Sequence, residues 1–94
     1  MGNDNAAIKH LLSLLGIAID ETDYDSQSDA ALKLGLLHYK LGEIQKSVSY
    51  FQRHFELARR IGKGKMIDSA RVNLGIAQAN TFIDNYKDIV MNDM

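Results

Sequence analysis

The sequence of 94 residues contains no cysteine, no proline and no tryptophan. Because thiols are missing, disulfide bonds and thiolate metal sites are excluded. Proline is the commonest helix breaker, so its absence from the whole chain favours long, uninterrupted helices. The hydrophobic fraction of 46% is ample for the core of one small soluble domain.

Strong charge of one sign and long apolar runs are also missing. The net charge is −1, so the overall field attracts neither nucleic acid nor an acidic membrane. The longest apolar run, residues 11–19, is interrupted by Ser13 and Gly16 and is too short to span a bilayer. Residues 1–4 lack the basic start of a signal peptide, so we expect a cytoplasmic protein without a membrane span.

Apolar residues recur at three- and four-residue steps in four segments, a pattern typical of amphipathic helices. The first helix is expected over residues 5–19, followed by an acidic loop over residues 21–27. A hairpin of two helices is expected over residues 28–61, divided at Gly42. The last helix is expected over residues 66–92, either unbroken or with a break near Asn80, and has an apolar stripe at Val72, Ile76, Ala79, Ile83, Tyr86 and Val90.

The sequence repeats itself with a shift of 40 residues and no gap. Leu34-Gly35 and Leu74-Gly75 are related by this shift, as are the first and third predicted helices. The pairs in these helices are Ala7 with Ser47, Ile8 with Val48, Leu11 with Phe51, Leu15 with Phe55, and Ala18 with Ala58. Glycine lets a neighbouring helix approach closely, so Gly35 and Gly75 are expected to be equivalent contact points in stacked two-helix units.

One motif within this repeat consists of Leu34, Gly35, His38 with Tyr39, Gly42, Ser47, Phe51 and Ala58. This motif resembles that of the tetratricopeptide repeat (TPR) family. The 40-residue spacing resembles the long-loop branch that includes kinesin light chains and the spindle adaptor LGN. A looser likeness over residues 70–77 is to TPR proteins of ciliary axonemes. Departures are Ser47 and His54 at alanine positions and Arg59 at a proline position.

The resemblance, which covers residues 5–79, implies an all-α antiparallel helix-hairpin solenoid with a right-handed superhelix. The chain then holds about two repeats in four helices. Residues 5–19 are the second helix of one repeat, residues 28–61 are a complete repeat, and residues 66–92 begin the next. By the same resemblance, the chain is a scaffold that binds a peptide or helix of a partner in a larger assembly.

The resemblance also implies which residues line the groove for that partner. They are Asp29, Leu32, Lys33, Leu36, Tyr39, Lys40, Ser69, Val72, Asn73, Ile76 and Asn80. Asn73 matches an asparagine that holds a peptide backbone in long-loop relatives, and Lys33 favours an acidic ligand. Chaperone-binding members have lysine and asparagine at positions that are apolar here, so a chaperone carboxylate is not the expected ligand. The alternative is that the apolar groove positions are buried by a continuing last helix or by a second chain.

Self-association is the second functional hypothesis. A solenoid normally needs about three repeats with polar end caps, and this chain has fewer. Its end helices are therefore expected to join copies into a homo-oligomer, by exchange of the last helix or by face-to-face packing. The axonemal likeness adds the expectation of a larger ciliary or cytoskeletal TPR protein.

The sequence shows no catalytic or cofactor site, so we expect neither an enzyme nor a cofactor. His10, His38 and His54 lack metal-ligand spacing, and the last two fall on predicted packing faces. Residues 23–34 lack the glycine and glutamate of a calcium loop, and residues 62–65 are too short for a phosphate-binding loop. The basic stretch at Arg59, Arg60, Lys63 and Lys65 is interpreted as a solvated helix end, with RNA or anionic lipid contact as the alternative.

Overall fold

The computed structural model describes the backbone of residues 3–92 and the side chains of residues 3–81. Four helices account for nearly all of it: α1 (Asn3–Asp20), α2 (Tyr24–Lys40), α3 (Ile44–Ile61) and α4 (Gly64–Asn92). Each helix packs on the next along the chain, α1 on α2, α2 on α3 and α3 on α4. No strand occurs within residues 3–92, so the predicted all-α helix-hairpin arrangement is confirmed. The handedness of its superhelix stays a prediction.

Helix α2 begins earlier than the sequence pattern indicated. Asp23 is its N-cap, and the Asp23 carboxylate accepts hydrogen bonds from Ser26 N at 3.1 Å and from Ser26 Oγ at 2.6 Å. Asp25 follows in the first turn, where a carboxylate is favoured by the helix dipole. Most of the segment expected to be an acidic loop is therefore helical, because these acids stabilise a helix start. Helix α4 also begins early, at Gly64.

The turns repeat with the same 40-residue shift. Gly62 ends α3 with φ of 84°, and its equivalent Thr22 follows α1 with φ of 55°. This left-handed backbone suits glycine and is unfavourable for β-branched threonine. The path of the chain thus repeats even where the residue type does not.

The centre of the fold lies where α2 contacts both neighbouring helices. Leu15 of α1 packs with Ala30 and Leu34 of α2, and Ile8, Leu11 and Tyr50 cover this cluster. On the α3 side, the Ser47 hydroxyl donates to the Gly35 carbonyl oxygen at 2.8 Å. A Cβ atom at Gly35 would lie 2.5 Å from Cδ1 of the buried Phe51 ring. The absence of a side chain at Gly35 therefore permits the close contact of α2 with α3, as predicted.

The surroundings of Gly75 differ from those of Gly35. A Cβ atom at Gly75 would have no neighbour within 4 Å among the residues that the structure describes. The prediction that the two glycines mark equivalent contact points is therefore wrong for the single chain. The reason is that α4 continues to Asn92 without a turn, so within residues 3–92 no later helix folds back onto it.

Helix α4 contacts α3 through small residues. Ala70 and Ala77 are fully buried, whereas the apolar stripe residues Val72 and Ile76 are 59% and 51% exposed. Alanine lets the helices approach, and the larger apolar residues lie to the side of the contact. The predicted stripe positions Ile83, Tyr86 and Val90 lie outside the described side chains. In the part of the chain that the structure describes, no helix is long and apolar enough to cross a membrane.

Candidate partner-binding groove

Helices α2 and α4 approach each other at two places, and we call the surface between these places the α2/α4 groove. At one end, a cavity of about 350 Å³ is bounded by residues of both helices, with His54 of α3 in its wall. Its lining residues are Asp25, Ser28, Asp29, Leu32, His54, Lys65, Met66 and Ser69. At the other end, Asn80 Nδ2 of α4 donates to the Tyr39 hydroxyl oxygen of α2 at 2.7 Å.

The structure brings five of the eleven predicted groove residues together directly. Asp29, Leu32 and Ser69 share the cavity, and Tyr39 and Asn80 share the hydrogen bond. The other six, which take part in neither contact, are Lys33, Leu36, Lys40, Val72, Asn73 and Ile76.

Helix register places the apolar groove residues in two rows. Leu32 and Leu36 are four residues apart on α2, and Val72 and Ile76 are four residues apart on α4. Such pairs lie on one face of a helix. Leu36, Val72 and Ile76 are each about half exposed or more. The alternative in which these positions are buried therefore does not hold in the single chain for these three, and Leu32 alone is partly covered.

A buried histidine joins the three helices under the cavity. His54 Nδ1 lies 2.9 Å from the Ser28 carbonyl oxygen and 2.8 Å from Ser28 Oγ. A carbonyl can only accept, so the proton is on Nδ1 and is shared between both oxygens. The Ser28 hydroxyl is then free to donate to Met66 Sδ at 3.6 Å. Burial lowers the pKa of His54, which favours the neutral ring, and the hydrogen bond to Ser28 opposes this shift in part.

His38 has a similar structural role between α2 and α3. Its Nδ1–H donates to Glu43 Oε1 at 2.9 Å, and its ring stacks on Tyr50 with centroids 5.4 Å apart. The hydrogen bond from His38 is the largest cause of the lowered pKa of Glu43. His38 and His54 are both buried, which confirms that they are packing histidines.

The charged residues at the groove are exposed. Lys33 Nζ lies 3.0 Å from Asp29 Oδ2, with both side chains more than half exposed. Such pairs contribute little to stability, so a ligand charge can replace either partner at small cost. Lys40 is also exposed, at the end of α2.

Arg60 and Lys63 of the basic stretch contact α2, whereas Arg59 packs within α3. The guanidinium of Arg60 lies 4.7 Å from the ring centroid of Tyr24, and that of Arg59 lies 5.8 Å from the centroid of Phe55. Lys63 Nζ is 3.9 Å from Asp25 Oδ1. Arginine over an aromatic face is a stabilising contact in its own right. These contacts favour the interpretation of a helix end over that of a nucleic-acid site.

Sequence reasoning missed the residues at the cavity mouth. Asp25 and Lys65 lie in the first turns of α2 and α4, at positions that were expected to be loop, and Met66 was expected at the helix start but was not assigned to the groove. The 40-residue shift contains the signal that was overlooked, because it places Lys65 over Asp25. The equivalent helix starts therefore carry opposite charges.

Metal ligands and similarity to known proteins do not identify the function of this groove. Among the described side chains, no three His, Asp or Glu residues lie close enough to hold a metal ion. No family model matches the chain, and no curated protein or solved structure matches it at a significant level. The structure defines an all-α protein of consecutively packed helices, and the TPR resemblance stays a prediction based on its motif residues.

Proposed function

We propose that this chain is a protein-interaction module that binds a peptide segment of a partner in the α2/α4 groove. The carrying observation is that Leu36 of α2 and Val72 and Ile76 of α4 are exposed apolar residues near the cavity that these two helices share. Single exposed apolar residues are ordinary on protein surfaces. A group of them in a concave site with a few polar residues is typical of a binding site.

The polar residues of the groove indicate the chemistry of the peptide. The Asn73 amide can donate and accept, which suits a peptide backbone, and the Asn80 carbonyl offers an acceptor beside the Tyr39 contact. Lys33 and Lys40 favour an acidic side chain. The proposed ligand is thus a segment with apolar side chains for the groove and at least one acidic residue. It is bound without catalysis, in a cytoplasmic and cytoskeletal or ciliary setting.

The test begins with a peptide library displayed on phage and selected against the immobilised chain. Affinities of the selected peptides are then measured by fluorescence anisotropy. The groove variant combines Val72→Thr with Ile76→Thr, which keeps β-branched side chains but removes apolar contact. Its matched control is Leu12→Gln, because Leu12 is 44% exposed on α1 and lies outside the groove.

We expect the groove variant to lose about tenfold in affinity, which corresponds to about 1.4 kcal/mol, and the control to bind as the wild type does. A second variant, Lys33→Gln with Lys40→Gln, is expected to weaken acidic peptides and to reduce the salt dependence of binding. Selected peptides that bind the groove variant as tightly as the wild type would refute the proposed site.

A further inference from the structure

The two end helices each have an uncovered face, and the 40-residue shift shows what each face lacks. Leu14 and Ile17 of α1 are 44% and 52% exposed. Their equivalents on α3, His54 and Leu57, are buried, and His54 is hydrogen-bonded to α2. Helix α1 therefore exposes apolar residues at positions that α2 helps to cover on α3.

Other exposed apolar residues of α1 follow a different pattern. Leu12 and Ile19 are also 44% exposed, but their α3 equivalents are Gln52 and Arg59, which remain exposed beside α2. The shift thus separates α1 residues that an α2-like helix would cover from those that it would leave in solvent.

Helix α4 lacks the complementary partner. It is equivalent to α2 by the same shift, and its Gly75 has open space where Gly35 contacts Phe51. The residue of α1 equivalent to Phe51 is Leu11. Among the described residues, α4 is thus an α2-like helix without an equivalent of α3, and α1 is an α3-like helix without an equivalent of α2.

We propose that α4 of one copy packs on α1 of a second copy, so that the two helices complete a hairpin pair like α2 with α3. Gly75 of the first copy would then lie against Leu11 of the second. This interface uses neither Val72 nor Ile76, so it leaves the apolar rows of the α2/α4 groove free for a peptide.

Charge complementarity supports a second copy as the occupant. Within one chain, Asp25 at the start of α2 is 3.9 Å from Lys63 after α3. By the 40-residue shift, the equivalent pair across the proposed interface is Lys65 at the start of α4 in one copy and Asp23 after α1 in the other copy. The two signs exchange, so the intermolecular pair remains attractive. The acidic Asp20 and Glu21 lie at the same end of α1.

One position fits less well. Arg71 occupies the place that corresponds to the fully buried Ala31, and its guanidinium is 3.8 Å from Asp68. In the proposed pair, the Arg71 stem must lie along the second copy while its charge stays in water. This contact should keep the association weak. Because the two faces differ, each added copy leaves one free face at either end, and assembly continues beyond the dimer or closes as a ring.

The test is a complementation experiment on the full chain by sedimentation equilibrium. The Ile17→Lys variant disables the α1 face, and the Gly75→Leu variant disables the α4 face. Both substitutions lie on surfaces that are open in the single chain, so the fold is kept, as circular dichroism will check. Leu12→Lys is the matched control, because it adds the same charge on α1 outside the proposed contact.

We expect the mass of wild type and control to rise with concentration beyond that of two chains. Each disabled variant alone is expected to associate at least tenfold more weakly. A mixture of the two is expected to form a dimer and to stop there, because each copy has one working face. Wild type that stays monomeric to near-millimolar concentration would overturn the proposal. So would a Gly75→Leu variant that associates as the wild type does, which would indicate face-to-face packing of α1.

Discussion

Replacement of Gly35 by alanine tests whether the close contact of α2 with α3 depends on the missing side chain. The new methyl group would lie 2.5 Å and 2.6 Å from two carbons of the Phe51 ring. That ring is only 3% exposed, so it has little room to move. Restoring an ordinary contact distance requires a separation of roughly 1 Å, which also lengthens the hydrogen bond from Ser47 to the Gly35 carbonyl.

The expected magnitude is the sum of two opposing effects. Alanine in a helix interior is favoured over glycine by about 0.5–1 kcal/mol. Overpacking of a tight core costs about 1–3 kcal/mol. Gly35→Ala should therefore lower the free energy of unfolding by about 1–2 kcal/mol, since the neighbour that must move is a buried ring.

Two other helical glycines serve as matched controls. Within the described part of the chain, a Cβ atom at Gly16 or Gly75 would have no neighbour within 4 Å, so only the helix preference acts there. Gly16→Ala and Gly75→Ala should each raise stability by about 0.5–1 kcal/mol. The difference between Gly35→Ala and either control is therefore expected to be about 1.5–3 kcal/mol.

The assay is urea unfolding followed by circular dichroism, at a concentration low enough to keep the chain monomeric. Phe51→Leu is then added to Gly35→Ala, because leucine is the residue that α1 has at the equivalent position, Leu11. The double variant should lose less stability than the two single changes added together. A Gly35→Ala variant as stable as Gly75→Ala, or a double variant without such coupling, would refute the reasoning.

Three further predictions concern single residues. The pKa of His54 is lower in the folded chain than in the unfolded chain. Between these two pKa values the unfolded chain binds more protons, so the free energy of unfolding should fall as pH drops through about 6.5 and then level off. His54→Asn should flatten this dependence in urea unfolding at several pH values; an unchanged pH profile would contradict the assignment. Ser47→Ala removes the hydrogen bond to Gly35 and should cost about 0.5–1.5 kcal/mol, whereas equal loss in the exposed control Ser49→Ala would argue against that bond. Thr22→Gly relieves a left-handed β-branched residue and should raise stability by about 0.5–1 kcal/mol, measured as a higher Tm; a lower Tm would be the contrary result.

Regular periodicity made most of the fold predictable. Four helices were expected and four are present in residues 3–92, and the motif residues Phe51 and Ala58 are buried in α3. The start of α2 was missed because acidic residues dilute the apolar pattern, although Asp23 stabilises the helix as a cap. Periodicity shows which residues lie on the same face of a helix, but it does not show the capping hydrogen bonds at the start of the helix.

The prediction for Gly75 failed for another reason. Sequence similarity shows that two positions are equivalent in a repeat, but burial also requires a neighbouring helix, and α4 does not turn back to supply one. The TPR resemblance predicted which residues line the groove. Its depth was not predictable, since the cavity depends on how Ser28, His54 and Met66 meet across three helices.

The continuous backbone of α4 has a mechanical consequence. At 1.5 Å per residue, its 29 residues extend over about 43 Å, whereas the 17 residues of α2 extend over about 26 Å. Because the helix is continuous, its first half at the α2/α4 groove sets the direction in which the second half extends. Each residue inserted into that second half would advance the end by 1.5 Å and rotate it by about 100°, so the length of the second half sets the direction in which any attached group points.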